Sequence, residues 1–333
     1  MNETSYTRLR HFMEENAFDR FFVYRPENVA WLTGGGDNTV AIGEGVGHLE
    51  VTHSKTLLHV SQPEASRLQE EEKCGFKVIT YPWHSPPPLQ HPNDLEADLT
   101  SLRLVLPPAM QERFRWLGRD AAEALGEAMR ESKPEWSEHT LAGAIAARMY
   151  ERGIQPVVLL VAGEQRIFKY RHPLPKDEPL GSLAMGVVCG RRGGLVANVT
   201  RMRSWNFSDI DLLYNKVLRV EAKALDASVP GASLGEVVEA VKEAYREIEH
   251  PEAFEEHHQG GITGYRSREI LGVPGEKTQL AIGMCLAWNP SLPGAKVEDT
   301  FLLTEGGLEN LTYDPDWPMV AVNGRPRPAI LTD

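Results

Sequence analysis

Residues 283–312, GMCLAWNPSLPGAKVEDTFLLTEGGLENLT, form the longest run of predicted strands in the last third of this chain. Apolar and β-branched residues dominate its segments MCLAWNPSL, AKVEDTFLLTEGG and LENLT, and this composition predicts three strands. The fold that contains these strands is indicated by the order of helices and strands that precedes them.

Upstream, the chain alternates between pairs of helices and groups of strands. Strands are predicted in PVVLLVAG, LAMGVVCG and GGLVANVTRMRS. The spacing of apolar residues predicts two helix pairs, one before and one after these strands: 110–134 with 137–154, and 208–228 with 233–248. Ser208 is the predicted N-cap of the third helix. Two helices and then strands, followed by the same order again, indicates an internal pseudo-repeat.

The N-terminal part predicts a smaller α/β domain. A helix is predicted over 6–18, and DRFFVYRPENVAWLTGGG, residues 19–36, is predicted as a strand that ends in a turn. Further strands are predicted in HLEVTHSKTLLHVS and KVITYPW, with a helix between them. The Pro-rich segment 84–94 indicates an exposed loop or linker. We therefore predict two domains, residues 1–106 and 107–333, in an α+β protein.

Composition excludes several classes of function. The 333 residues carry a net charge of −12, whereas a nucleic-acid binder needs clustered Lys and Arg. Three cysteines, Cys74, Cys189 and Cys285, have no paired spacing, which argues against disulfides and a zinc knuckle. The polar N-terminus does not look like a signal peptide, and no apolar run is long enough to span a bilayer. We predict a soluble, cytoplasmic protein that binds neither nucleic acid nor membranes.

Several phrases, taken in order, resemble the creatinase / aminopeptidase P / Xaa-Pro dipeptidase family. They are DRFFVYRPENVAWLTGG, KPEWSEHTLAGAIAARMYERG, VPGASLGEVVEAVKEAYRE and the stretch 283–312. The resemblance covers nearly the whole chain. It implies a pita-bread catalytic domain, in which helices pack on a curved antiparallel sheet with a pseudo-two-fold repeat, preceded by a creatinase-like N-terminal domain. It also implies a homodimer.

The resemblance further implies two divalent ions, held by two aspartates, one histidine and two glutamates, with a bridging water as the nucleophile. The family's motifs place these five positions on Val187, Asn198, Gly261, Asn289 and Glu298. Of the five, Glu298 alone keeps the family's residue. One carboxylate and two amides are a poor ligand set for two divalent ions. We therefore expect a site without metal ions and without any other cofactor.

The histidines near these positions are the remaining candidates for chemistry. His172, in KYRHPLP, falls near the family's substrate-facing histidine, and His257 falls on a histidine that precedes the metal ligand without binding the metal. His258 is an addition to the family's pattern. The alternatives are a surface histidine in a Pro-rich loop for His172 and a structural hydrogen bond for His257.

Arginines indicate how the site could hold an anion. Arg268 falls on a second active-site histidine of the family, and Glu269 keeps the adjacent glutamate. Together with Arg201, Arg268 could bind a substrate carboxylate. The alternative is a salt bridge from Arg268 to Glu269 or Glu298 that fills the space left by the ions.

Three hypotheses follow for the function. The first is a metal-independent hydrolase of a small C–N substrate or short peptide, in the manner of creatinase, with His172, His257 and Glu298 as catalytic residues. In that hypothesis the substrate is bound by six side chains: Asn198, Arg201, His258, Arg268, Glu269 and Asn289. The second is a non-catalytic module that binds protein. The third is a metallopeptidase with displaced ligands, His257, His258 and Glu298, which we rank last because adjacent side chains on a strand point to opposite faces.

Overall fold

The structure is a computed structural model that describes residues 3–72, 75–207 and 209–332. Cys74 and the predicted cap Ser208 lie outside the described residues. The chain divides into two units, residues 1–107 with 192–195, and residues 108–191 with 196–333. Within the described part of the chain, no helix is both long enough and apolar enough to cross a membrane.

The first unit is a small α/β sheet domain. Its four-stranded sheet has the order β1-β4-β5-β6, in which only the β5–β6 pair is parallel. A 3-10 turn over Gln62–Glu64 leads into its third helix. The helices of this unit are α1 Glu3–Glu15, α2 Pro26–Thr33, α3 Ala65–Glu70 and α4 Thr100–Arg103. The strands are β1 Arg20–Val23, β2 Thr39–Ala41, β3 Glu44–Gly45, β4 Gly47–Thr52, β5 Thr56–Ser61 and β6 Lys77–Tyr81.

The prediction of one strand over residues 19–36 is wrong beyond Val23. The chain turns into helix α2, which begins with Pro26 in its first turn, where proline's missing N–H costs nothing. The helix ends at Gly34, which adopts a left-handed conformation with φ of 73° and donates its N–H to the carbonyl of Ala30. The buried residues of α2 include Val29 and Trp31, so packing favours the helix over the extended form.

Helices of the second unit follow the predicted pairs. Ser137 caps α6 by accepting a hydrogen bond from the Thr140 N–H, and Ser233 forms a capping box with Glu236 at the start of α9. A 3-10 turn over Pro251–Phe254 follows α9. The helices are α5 Pro108–Glu131, α6 Glu138–Glu151, α7 Glu164–Ile167, α8 Ile210–Ala227 and α9 Leu234–Glu247.

Two larger sheets and two two-stranded sheets, β13-β14 and β17-β18, contain the strands described in the second unit. One larger sheet has the order β19-β9-β8-β7, and the other is an antiparallel sheet of order β11-β10-β12-β15-β16. The strands are β7 Gln155–Gly163, β8 Leu183–Arg192, β9 Leu195–Ser204, β10 Gly260–Thr263, β11 Ile270–Leu271, β12 Cys285–Trp288, β13 Ser291–Leu292, β14 Ala295–Lys296, β15 Asp299–Thr304, β16 Gly307–Asn310, β17 Met319–Val322, β18 Arg325–Pro328 and β19 Leu331–Thr332.

The two larger sheets meet along β9. An isolated antiparallel bridge joins Thr200 to Glu298, and the Asn198 N–H donates to Thr300 Oγ1 at 2.8 Å. The Val196 N–H donates to the carbonyl of Gly264 at 2.9 Å. These contacts bring polar residues of β9, of the β10 region and of the segment before β15 to one place.

A buried ionic network lies behind this junction. Arg201 Nη1 donates to Asp299 at 2.9 Å, and Arg327 Nη2 donates to the other oxygen of Asp299 at 2.7 Å. Arg327 Nε also donates to Glu221 of α8 at 2.7 Å. All four side chains are almost fully buried, and their charges balance. The network therefore links β9, β15, β18 and α8.

Candidate active site

Glu298 lies at the centre of the junction and is already paired. Its Oε1 accepts from Arg268 Nη2 at 2.7 Å, and its Oε2 accepts from Thr200 Oγ1 at 3.1 Å. Burial alone would raise the pKa of Glu298, but the nearby Lys296 and Arg268 cations outweigh it and hold this pKa below its ordinary value. The salt bridge considered as the alternative for Arg268 is therefore present, with Glu298 as its partner.

Three histidines converge on the same place. His257 and His172 share a hydrogen bond between their Nε2 atoms, which are 3.0 Å apart. The rings of His257 and His258 stack with centroids 4.4 Å apart, and those of His172 and His258 are 5.7 Å apart. The structure thus brings His172 together with the His257–His258 pair, although 85 residues of sequence separate His172 from His257.

The assumption that His257 and His258 lie on a strand is wrong. Strand β10 begins at Gly260, and the two histidines lie in the irregular segment before it. Alternation of side chains between opposite faces holds for extended strands, so it does not apply here. Because this segment is not extended, both rings can turn to the same side.

The pKa of each of the three imidazoles lies below the ordinary histidine value, which favours the neutral form near pH 7. Burial, together with the nearby Arg268 and Lys296 cations, lowers the pKa of His258 to about 4. Burial also lowers the pKa of His257, strongly, and that of His172, and the Lys296 cation adds to both shifts. A neutral imidazole has one lone-pair nitrogen, and the hydrogen bond between His172 and His257 uses one of theirs. When the His172 Nε2–H donates to His257, His172 keeps a free lone pair at Nδ1 that can accept a proton.

Lys296 is a candidate that the sequence analysis missed. Its side chain is 4% exposed, and none of the described residues forms a hydrogen bond or ion pair with its ammonium group. It lines a cavity of about 10 Å³ together with Arg171, Met185 and Ser291. Burial lowers its pKa despite the opposing charge of Glu298. The sequence feature that could have indicated a buried lysine is its position between two apolar residues, Ala295 and Val297.

Two buried amides complete the polar surroundings. Asn198 Nδ2 donates to Thr263 Oγ1 at 3.0 Å, whereas its Oδ1 is buried without a partner among the described residues. Asn289 Oδ1 is likewise buried and unpartnered within the described chain. Buried carbonyl oxygens without donors are uncommon, so each offers an acceptor for a ligand N–H.

Other predicted site residues are placed elsewhere or are already engaged. Arg201 is 1% exposed and donates to Asp299 and to the carbonyl of Thr312, so the structure does not bring it to the histidines. Glu269 is 8% exposed and accepts from the Tyr265 N–H. Cys189 is buried, and burial raises the pKa of its thiol to about 12, which makes it a poor nucleophile.

Gly261, where the resemblance places a metal-binding histidine, cannot hold a side chain in this backbone. Its φ is 149°, and a Cβ there would lie 2.2 Å from the carbonyl oxygen of Ile270. Neighbouring Gly260, with φ of 124°, would place a Cβ 2.1 Å from the carbonyl oxygen of Ala287. Both glycines allow β10 to lie close to its partner strands. The close packing of this sheet therefore requires glycine, and not histidine, at position 261.

Gly261→Ala is expected to lower the free energy of unfolding by about 2–4 kcal/mol, because the new Cβ meets the backbone of residues 270–272 and because φ at this position is strained for any other residue. Gly143→Ala in α6 is the matched control. A Cβ at Gly143 meets nothing within 4 Å, so that change is expected to stabilise by about 0.5–1 kcal/mol. Urea unfolding measures both, and an unperturbed Gly261→Ala would show that β10 can shift.

Comparison with known proteins defines the class. The model for metallopeptidase family M24 matches residues 112–305, and that for the creatinase/prolidase N-terminal domain matches residues 6–105. The chain belongs to metallopeptidase family M24. The predicted fold class is confirmed: a pita-bread unit follows a creatinase-type N-terminal domain.

Individual relatives agree with this assignment. The chain is 22% identical over 343 residues to the Xaa-Pro dipeptidase of Pyrococcus furiosus, covering 92% of this chain and 96% of that protein. Among solved structures it resembles the prolidase from Pyrococcus horikoshii OT3, with a TM-score of 0.80, 18% identity and coverage of 93% and 98%. It also resembles the N-terminal domain of the FACT complex subunit SPT16 from chickpea (Cicer arietinum), with a TM-score of 0.68, 14% identity and coverage of 93% and 96%. At these identities the structural likeness shows the fold alone.

Proposed function

We propose that the protein hydrolyses a C–N bond in a small substrate or short peptide without the two-ion centre of its family. The observation that carries the proposal is the hydrogen-bonded imidazole pair of His172 and His257, beside a buried, unpaired Lys296. A base, a proton donor and a cation close together are what hydrolysis of an amide or amidine needs.

His172 is the proposed general base. It is the exposed member of the imidazole pair, so water and substrate can reach it. Its lowered pKa keeps it unprotonated at neutral pH, and it can take a proton from an attacking water. His257 is buried and holds the His172 ring through the 3.0 Å hydrogen bond. As the proton moves to His172, the pair can share the charge that forms.

Lys296 and Arg268 are the proposed sources of positive charge. The Lys296 ammonium has no fixed partner in the described chain and can donate to the oxygen that becomes negative when water adds. Its lowered pKa also suits it to donate a proton to the leaving nitrogen. The free Oδ1 atoms of Asn198 and Asn289 can accept from the substrate's N–H groups. Glu298 then acts by positioning Arg268.

Two divalent ions do not fit the donors at the five positions that the resemblance gives. Both oxygens of Glu298 already accept hydrogen bonds, one of them from the Arg268 guanidinium. Gly261 cannot carry a side chain, and Val187 has no donor atom. The neighbouring Lys296 and Arg268 add positive charge, which opposes cations at the same place. We therefore derive no step through such ions.

The test is turnover in the presence of a chelator. Chelator-treated protein is incubated with dipeptides, including Xaa-Pro dipeptides suggested by the relatives' names, and with small amides and guanidino compounds, and products are identified by mass spectrometry. We expect at least one substrate to be hydrolysed, and His172→Ala to lower kcat/KM by about 10²–10⁴-fold. The acidic limb of the pH–rate profile should lie below the ordinary histidine pKa of 6.5, because the base stays unprotonated to lower pH.

His139→Ala is the control, since His139 is an exposed histidine of the same unit whose ring contacts the carbonyl of Pro175. It should retain full turnover. Three outcomes contradict the proposal: no turnover by folded protein, full activity of His172→Ala, or activity that a chelator removes and a divalent ion restores.

A second candidate function is a protein-binding module without catalysis. The Arg268–Glu298 ion pair favours it, because a buried pair can occupy an abandoned site as a structural element. In that case the double variant Arg268→Met/Glu298→Met would bind its protein partner with unchanged affinity. Loss of turnover in the same double variant supports hydrolysis instead.

Two further predictions concern the state of the protein. We propose a homodimer, as the family resemblance implies, and a cytoplasmic location, as the cysteine pattern, which argues against disulfides, suggests. Light scattering coupled to size-exclusion chromatography tests the first, and a monomer at micromolar concentration would contradict it. Fractionation of the source cells tests the second.

A further inference from the structure

We propose that His172, His257 and His258 form a binding site for one transition-metal ion of the zinc class. Each of these histidines offers one ring nitrogen, and these atoms all lie within 4.8 Å of one another. The site is distinct from the five positions that the family resemblance gives for metal ligands, since none of the three histidines occupies one of them. The inference does not depend on the proposed hydrolysis.

The distances between the three histidine nitrogens suit one bound ion if the nitrogens move slightly closer together. Two nitrogens bound to one tetrahedral zinc ion at 2.0–2.1 Å are about 3.3 Å apart. The Nε2 atoms of His172 and His257 are 3.0 Å apart, and they are joined by a proton that an ion can replace. His258 stacks on His257 with ring centroids 4.4 Å apart, and its ligand nitrogen lies within 4.8 Å of the other two.

Unsatisfied ring nitrogens give a second reason. The Nδ1 atoms of His257 and His258 are both buried and have no hydrogen-bond partner within the described residues. A buried nitrogen without a partner is uncommon, and a missing ion or water is one of its ordinary explanations. Because His257 Nε2 faces His172, the Nδ1 atom of His258 is the unsatisfied nitrogen that an ion at this site can use.

The charge around the histidines is less unfavourable than the number of cations suggests. Arg171 is paired with Glu256, and Arg268 is paired with Glu298. This leaves Lys296 as the one uncompensated cation named by the shifts of all three histidines, and it is buried. One opposing cation, Lys296, therefore remains beside the histidines, and the choice of metal depends on the donors.

The donor set selects the kind of ion. Three imidazoles without a carboxylate favour zinc, copper, nickel or cobalt over magnesium, calcium or manganese. Three protein ligands also leave a fourth position open for water or an added ligand. Because the ion would use the lone pair of His172, it would block the base of the proposed hydrolysis.

Titration with Co²⁺ and Zn²⁺ tests the site without reference to activity. Metal-stripped protein is expected to bind one equivalent, with the intense visible absorption of a low-coordinate Co²⁺ site, and added Zn²⁺ should displace the Co²⁺. His172→Ala and His258→Ala should each weaken Zn²⁺ binding by about 100-fold or more. His139→Ala, which removes an exposed histidine of the same unit, should bind as the unchanged protein does.

The outcomes distinguish failure of the proposed metal site from failure of the proposed hydrolysis. No stoichiometric binding, or equal binding by the His172→Ala and His258→Ala variants, overturns the metal site. Because His172 is exposed, its alanine variant is expected to fold, and circular dichroism verifies this. Where turnover is found, one equivalent of Zn²⁺ should inhibit it; activation by Zn²⁺ would support the metal site while contradicting metal-independent hydrolysis.

Discussion

Lys296→Met is expected to raise the free energy of unfolding by about 1–3 kcal/mol and to remove hydrolytic activity. The Lys296 side chain is 4% exposed and has no ion-pair or hydrogen-bond partner in the part of the chain that is described. Burial lowers the pKa of the Lys296 ammonium, so its surroundings disfavour the charge, whereas methionine, with a side chain of similar length, carries none. A residue kept at a cost to stability is typical of a functional site.

Activity and stability are expected to change in opposite directions, which separates a functional role from a structural one. Equilibrium urea unfolding measures stability, and kcat/KM on any substrate found measures activity. Lys223→Met is the control, because Lys223 is about half exposed and pairs with Glu247 on the surface. That variant should change stability by less than about 1 kcal/mol and leave activity unchanged. Lower stability of Lys296→Met would mean that the amine has a compensating partner.

Asp299→Ala is expected to lower the free energy of unfolding by about 3–5 kcal/mol. Asp299 is fully buried and accepts from two arginines, Arg201 at 2.9 Å and Arg327 at 2.7 Å. Glu221 can balance only one of the two positive charges. Removing the carboxylate therefore leaves a buried guanidinium without a counter-ion, which is far more costly than losing an exposed pair.

An exposed pair of the same chemistry provides the comparison. Asp226 pairs with Arg325, and these side chains are 44% and 36% exposed. Asp226→Ala should therefore cost no more than about 1 kcal/mol in the same urea unfolding experiment. If Asp299→Ala were equally mild, water would have to reach Arg201 and Arg327, and the network would not be the dry link between strands that its burial indicates.

The sequence predicted the fold better than it predicted the site. Periodicity located α5, α6, α8 and α9, because amphipathic helices of this length repeat their apolar residues locally. It failed over residues 19–36, where apolar residues suit a strand as well as a helix and where Pro26 and Gly34 fix the helix ends. Local composition could not decide between them, since burial of Trp31 depends on the packed unit.

For the site, motif positions located Glu298, Arg268 and the histidines, but not their partners. The sequence left two possible partners for Arg268, Glu269 and Glu298. In the structure Arg268 Nη2 donates to Glu298 Oε1 at 2.7 Å. Arg201 was expected beside them, yet its side chain points into the network around Asp299. Alternation along β9 separates neighbours such as Thr200 and Arg201, and only the sheet's surroundings show which face is the site.

The family and the pita-bread order of helices and strands could be predicted from the linear sequence, and the family's motifs gave the expected residues at the five ligand positions. These follow from local pattern and from motif spacing, both of which are properties of a linear chain. Only the tertiary structure decided that three histidines meet, that Lys296 is buried without a partner, and that Gly261 has no room for a side chain. The reason is that burial, partner choice and pKa depend on atoms brought close by the folding of segments distant in sequence.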